Sequence, residues 1–175
     1  MLFLETRRLR LRNVEPKDAD IIFDYRNNEI CARYQRGQTR DYAGITALIE
    51  RRKNDVFSTE APFMAAAALK ETDEMVGEIV AFPQEETVTL GYTFSYRHHR
   101  RGYAFEALTA LIGKLHEMVP DWEFLCFTEP ENEASMALLR KLGYEDLGYV
   151  PSKQSRVFGK GTKESTKAEI AELNK

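Results

Sequence analysis

The stretch from Gly91 to Glu106, GYTFSYRHHRRGYAFE, concentrates the residues best suited to chemistry. An apolar alternating segment runs into a short basic loop, and the loop enters an amphipathic segment at Gly102. The first turn of a helix leaves backbone N–H groups without intrahelical partners and carries roughly half a positive charge. Such a turn is suited to a phosphate or a diphosphate. Gly102 lacks a side chain, so a ligand can come close to the main chain there. Arg97, Arg100 and Arg101 add guanidinium donors that match phosphate oxygens. Together these residues point to a phosphorylated ligand at a strand-to-helix junction. On these residues alone, a solvated basic loop is the alternative. The common nucleotide fingerprints are missing. The late FGKGT lacks the first glycine and the spacing of a GxxxxGK loop, and no GxGxxG follows a strand.

The elements that must hold this junction can be read from periodicity. RRLRLR at 7–12 alternates like a half-buried strand, with its arginines expected toward solvent. Pro16 opens a helix expected through Tyr25, with Asp18 and Asp20 near its N-terminal end. A second helical region is expected over 40–53. Phe63–Leu69, Met75–Phe82 and Thr87–Phe94 read as three successive strands with short links, hence an antiparallel meander. After Gly102, apolar residues at Ala104, Leu108, Leu111, Ile112, Leu115 and Val119 form one face of a long helix that Pro120 ends. Glu123–Phe127 reads as a buried strand. A helix follows with Asn132 as its N-cap and Gly143 as its C-cap glycine. Strand, helix, strand, helix implies a crossover and at least one parallel pair. Pro151–Gly161 reads as a loop, and 165–173 as a final strand.

Composition bounds the rest. The 175 residues fit a single domain over 1–175, with 43% hydrophobic and 30% charged residues, as in an ordinary globular chain. The longest unbroken apolar run is Phe63–Leu69, far short of the ~20 residues a membrane-crossing helix needs, so no membrane is expected. MLFLETRR meets charge too early for a secretory signal. Cys31 and Cys126 are too few for a disulfide scaffold or a zinc cluster, so no metal and a reducing cytoplasm are expected. A net charge of −3 argues against a nucleic-acid partner.

HRRGYA, from His99 through Arg100, Arg101, Gly102 and Tyr103 to Ala104, resembles the acetyl-CoA loop of the GNAT N-acetyltransferases, Gln/Arg-x-x-Gly-x-Gly/Ala. ENEASMALLRKLGY is similar to their second cofactor motif, here Asn132, Ser135 and Lys141–Leu142–Gly143–Tyr144. LETRRLRLRNVEPKDAD and VGEIVAF look like the branch holding the ribosomal-protein N-terminal acetyltransferases. The likeness runs from about residue 3 to about residue 150. It implies an α+β, three-layer fold: a mixed, mostly antiparallel twisted sheet with a splayed parallel pair, flanked by helices. It also implies that backbone groups of Phe94, Ser95 and Tyr96 pair with the pantetheine arm of acetyl-CoA. The amides of 99–104 would hold the diphosphate, with Asn132 and Ser135 facing the thioester and Lys141 belonging to the same motif.

Two departures from the family pattern stand out. His99 and Arg100 replace the loop's usual first residue and second glycine. Many members also place a Tyr seven residues after the motif Asn as the acid for the leaving thiolate, where this chain has Leu139. The ribosomal-protein branch is thought to use the Ser three after the Asn, here Ser135. A thiolate with the pKa of a free thiol, ~8.5, needs modest help, and a Ser hydroxyl can donate to it. The acceptor is then a primary amine, either a protein N-terminal α-amine or a small molecule, attacking the thioester directly. Its proton calls for a base or a desolvating pocket. Glu78 is the leading candidate base, with Glu106, His98 and His99 as alternatives. A non-catalytic CoA-binding sensor is the competing reading, and a homodimer remains open.

Overall fold

A computed structural model describes all 175 residues. Its centre is one eight-stranded sheet in the order β1-β2-β3-β4-β5-β6-β8-β7. The strands are β1 (Leu2–Glu5), β2 (Leu9–Arg12), β3 (Phe63–Leu69), β4 (Met75–Gln84), β5 (Thr87–Phe94), β6 (Glu123–Thr128), β7 (Glu145–Val150) and β8 (Ser155–Lys160). The helices are α1 (Ala19–Asn27), α2 (Glu29–Ala32), α3 (Tyr42–Arg52), α4 (Tyr103–Met118), α5 (Glu133–Lys141) and α6 (Glu164–Leu173).

β3 is buried on both faces, which is why it reads as an unbroken apolar run rather than an alternating one. Ala65 and Ala67 join the main core with Leu108, Leu111 and Leu115 of α4. Met64 and Ala66 join a second core with Ile22 of α1 and Ile45 and Ile49 of α3. The sheet is therefore sandwiched between the α1–α3 group and the α4–α5 group. Burying each such Leu or Ile side chain contributes roughly 1.5–3 kcal/mol of transfer free energy, which pins α4 to the sheet along one stripe.

β3, β4 and β5 form the expected antiparallel meander. β5, α4 and β6 form the expected crossover, and β5 pairs with β6 in parallel. That pairing covers only Thr87 to Thr89 against Glu123 to Leu125. Beyond it β5 continues beside β4 as far as Phe94, and β6 continues beside β8 as far as Thr128. The sheet therefore opens between the second half of β5 and the second half of β6.

Three expectations need correction. The segment read as a loop contains β8, whose Val157 and Phe158 are buried as it slots between β6 and β7. The segment read as a last strand is the helix α6: it is rich in the helix formers Ala, Glu, Lys and Leu, and it buries only Ile170. The arginines of β2 do not all meet solvent. Arg12 is 5% exposed and grips Asp18 through two bonds of 2.8 and 3.0 Å, anchoring the turn that precedes α1. Sequence periodicity also passed over β1 and β7. The helix expected from Pro16 begins as a 3-10 turn over Pro16–Asp18 and runs on as α1.

Candidate active site

The junction between β5 and α4 turns sharply. After a 3-10 turn over Tyr96–His98, Arg100 and Gly102 take left-handed φ values of 61° and 78°. Gly102 meets that need without a Cβ penalty. The first helical bond of α4 is Glu106 N–H to the Gly102 carbonyl, 3.0 Å. Upstream of it, the amides of Arg100, Arg101, Gly102, Tyr103, Ala104 and Phe105 donate to no protein acceptor. Alternating turns that aim successive N–H groups outward form an anion-binding concavity. Arg100 and Arg101 stand exposed beside it. The Lys141 ammonium lies 4.2 Å from the Phe105 ring centroid, over the first turn of α4. His99 fastens the loop to the strand end, its Nε2 lying 2.8 Å from the Phe94 carbonyl oxygen. Arg97 turns the other way and pairs with Asp24 of α1 at 2.9 Å, away from the amides. The donor set fits a diphosphate. It comprises unsatisfied N–H groups, positive side chains on their rim and a glycine where a Cβ would approach Arg8 Nη2 to 3.3 Å.

The opening in the sheet leads on from this junction. A cavity of about 520 Å³ is lined by Phe94, His99, Arg100, Ala104 and Leu138. A second, of about 260 Å³, is lined by Arg36, Leu90, Cys126, Thr128, Glu129 and Ser155. Tyr34, Gln35, Tyr92, Asn132 and Ser135 line both. A ligand lying in the first cavity would meet a ligand entering the second at this shared wall.

Asn132 and Ser135 hold their places for a local reason. The Asn132 side chain caps α5 by accepting from the Ser135 amide at 3.1 Å. The Ser135 hydroxyl then lies 2.9 Å from the Tyr92 hydroxyl on β5. Burial, chiefly, pushes the Tyr92 phenol well above its ordinary pKa, so it stays protonated and can donate. Cys126, pushed up to about 12 by burial, is likewise a neutral thiol. Leu139, at the family's usual acid position, is 1% exposed core. Sequence reading placed Tyr92 in the third strand of the meander and did not single it out as a functional residue. The available signal was a hydroxyl-bearing aromatic at the end of an inward-facing stripe, just before the basic loop.

The strand edge expected to receive an extended ligand is only partly available. Carbonyls of Tyr92 and Phe94 accept side-chain donors, Gln35 Nε2 at 3.3 Å and His99 Nε2 at 2.8 Å. Ser95 is fully buried, and its amide bonds Val76 at 2.8 Å within the sheet. The Tyr96 hydroxyl contacts Asp24 at 3.3 Å. Tyr103 turns to the back of α4, with the Arg8 guanidinium 4.5 Å from its ring centroid.

The carboxylates sit as follows. Glu78 is 2% exposed and lines neither cavity. Its Oε1 accepts from Arg26 at 2.6 Å and from Gln38 at 3.3 Å, and its Oε2 accepts from the Tyr25 hydroxyl. It reaches the cavity wall through Gln38, which also donates to Thr93 at 3.0 Å. Glu106 accepts from Thr6 Oγ1 at 2.6 Å and from the Arg8 amide and Nε at 2.7 Å each. Burial raises its pKa, but those bonds outweigh burial and hold the carboxyl below its ordinary range. His98 contacts Glu74 at 3.2 Å, outside the groove.

The sheet splits beside a run of unpaired amides at a helix start, with the two cavities in the split. Comparison with known proteins gives the family. The model of the acetyltransferase (GNAT) domain family matches residues 8–145. YnaD of Bacillus subtilis strain 168, named as an uncharacterized N-acetyltransferase, is 23% identical over 150 residues, 85% of each chain. A GNAT-family acetyltransferase structure from Bacillus anthracis superposes with a TM-score of 0.76 at 19% identity, covering 90% of this chain and 96% of that one. RimL, a ribosomal-protein α-N-acetyltransferase solved with coenzyme A, superposes with a TM-score of 0.75 at 12% identity, covering 91% and 97%. The chain belongs to the GNAT acetyltransferase family.

Proposed function

We propose that the protein moves an acetyl group from acetyl-CoA to a primary amine by direct attack on the thioester. The observation that carries this reading is the run of unpaired amides from Arg100 to Phe105 at the mouth of the split sheet. Those amides, with Arg100, Arg101 and Lys141 on the rim, would hold the diphosphate, and the larger cavity would take the pantetheine arm. Acetyl-CoA supplies the activated acyl group. Asn132 fixes the first turn of α5, and the Ser135 hydroxyl hydrogen-bonds the departing sulfur, which takes up the proton the amine loses as the C–N bond forms and the C–S bond breaks. Tyr92, 2.9 Å away and kept neutral by burial, holds that hydroxyl in place. Glu78 anchors Gln38 and Thr93 on the cavity wall through its fixed bonds to Arg26 and Tyr25.

Among acceptors, the cavities favour an α-amine such as a protein N-terminus over a lysine-like amine. Glu129 is the one carboxylate on either wall, and it is paired with Arg36. A site whose one wall carboxylate is held in an ion pair works best on an amine that is substantially neutral already. An α-amine has a pKa of ~7.7–8.0, against ~10.4 for lysine. The expected kcat/KM for a peptide with a free N-terminus therefore rises with pH and levels off as the acceptor itself deprotonates near ~8. Thiol release from acetyl-CoA across a panel of peptides and small amines, followed from pH 6 to 10, tests this. Faster turnover of small aliphatic amines than of any peptide would contradict the α-amine assignment. No release with any amine would contradict the transfer itself.

A further inference from the structure

We propose that Arg8, clamped by Glu106, is a positioning residue that sets the aim of the phosphate-gripping amides, an inference that rests on the acetyl-CoA reading above. Arg8 lies in the link between β1 and β2, 93 residues before the loop it touches. Its main chain is fixed on both sides: its amide donates to Glu106 at 2.7 Å, and its carbonyl accepts from the Lys70 amide at 2.9 Å. The turn around it is closed by Thr6 and Leu9, with the Leu9 amide 2.9 Å from Thr6 Oγ1. The guanidinium then does three things at once. Nε bonds Glu106 Oε2 at 2.7 Å, Nη1 bonds the Arg101 carbonyl at 2.9 Å, and the plane covers the Tyr103 ring.

The consequence for the loop follows from peptide geometry. In a trans peptide the carbonyl and the next N–H point in opposite directions. No cis bond occurs in this chain. Holding the Arg101 carbonyl against Arg8 therefore drives the Gly102 N–H away from Arg8. Arg8, Gly102, Phe105 and Glu106 line one side of the junction, whereas Arg100 and Ala104 line the groove on the other. Tyr103, held under the guanidinium, keeps the first turn of α4 in the same orientation. Arg100, the residue that departs from the family's glycine, adopts a left-handed φ of 61° despite its Cβ. Backbone strain of that kind persists where the surroundings over-determine it, and the clamp fixes the adjoining carbonyl, that of Arg101. A lysine at position 8 would keep the charge but could not serve Glu106, the Arg101 carbonyl and the Tyr103 ring together, because one ammonium lacks the planar fork.

The test compares three variants by their coenzyme A affinity and by their turnover of two acyl donors. Coenzyme A affinity is measured by titration calorimetry for wild type, Arg8→Gln, Arg8→Lys and Glu106→Gln, with melting curves confirming that each is folded. Turnover is measured with acetyl-CoA and with S-acetylpantetheine, which lacks the diphosphate. Arg8→Gln and Glu106→Gln are expected to bind coenzyme A on the order of tenfold more weakly, the scale of one charge-assisted hydrogen bond. At saturating acetyl-CoA their kcat should stay within about twofold of wild type, and their kcat/KM for S-acetylpantetheine should be unchanged. Arg8→Lys should resemble Arg8→Gln. Full affinity in Arg8→Lys would reduce the role to bulk charge and overturn the proposal. Equal loss with both acyl donors would overturn it too, by making the effect structural. Wild type that fails to prefer coenzyme A over the pantetheine fragment would overturn the cofactor reading itself.

Discussion

At the scale of single residues, the site depends on groups held by neighbours rather than by their own reactivity. Ser135 is aimed by two independent contacts, its amide to Asn132 and its hydroxyl to Tyr92. Ser135→Ala keeps the amide cap and removes only the hydroxyl. We expect kcat to fall on the order of tenfold, since a thiolate leaving group asks only modest help, with coenzyme A affinity nearly unchanged. Steady-state kinetics beside calorimetry checks this, and unchanged turnover would remove Ser135 from the chemistry. Ser135 was singled out by the resemblance of Asn132 and Ser135 to the family's second cofactor motif. The sequence could not expose the pairing of Ser135 with Tyr92, because 43 residues separate the two and the pairing forms across the parting of β5 from β6. Glu78, read from the sequence as the leading candidate base, is instead buried and bonded at both oxygens. Its partners Tyr25 and Arg26 lie on α1, and no periodicity in β4 reveals which helix covers it.

Individual elements were legible where the signal was local. β3 and β5 have the bounds their apolar runs and flanking turns predict, and α4 ends before Pro120 as expected. α5 ends in a Schellman motif: the Tyr144 amide bonds Leu139 O at 3.0 Å and the Gly143 amide bonds Arg140 O at 3.0 Å, with Gly143 at φ 88°. α5 carries Asn132 and Ser135 at its start and Lys141 at its end, and Gly143 closes it just beyond Lys141. Gly143→Ala forces a Cβ into left-handed backbone and should cost roughly 1–2 kcal/mol. For a chain of this size that is a fall in Tm of about 2–8 °C. Thermal unfolding followed by circular dichroism measures it, and an unchanged Tm would mean the end of α5 frays without cost. β8 and α6 were misread because their identities are decided elsewhere. β8 is a strand because β6 and β7 flank it, and α6 is a helix whose one buried residue leaves almost no apolar pattern.

For the molecule as a whole, one sheet carries two different edges. Its β1–β5 half is continuous with the α1–α3 layer, and within the sheet its β6–β8 half joins it through the short parallel pairing of β5 with β6. The gap between them is open because each strand of the parallel pair keeps its other neighbour to its full length. α4 starts at the mouth of that gap, so its unpaired first-turn amides, the groove and the Tyr92–Ser135 pair fall on one line. A crystal of the protein grown with coenzyme A tests that line most directly. The account predicts diphosphate oxygens within hydrogen-bond distance of amides between Arg100 and Phe105, and the sulfur beside the Ser135 hydroxyl. A coenzyme lying elsewhere, with those amides still without a partner, would contradict it.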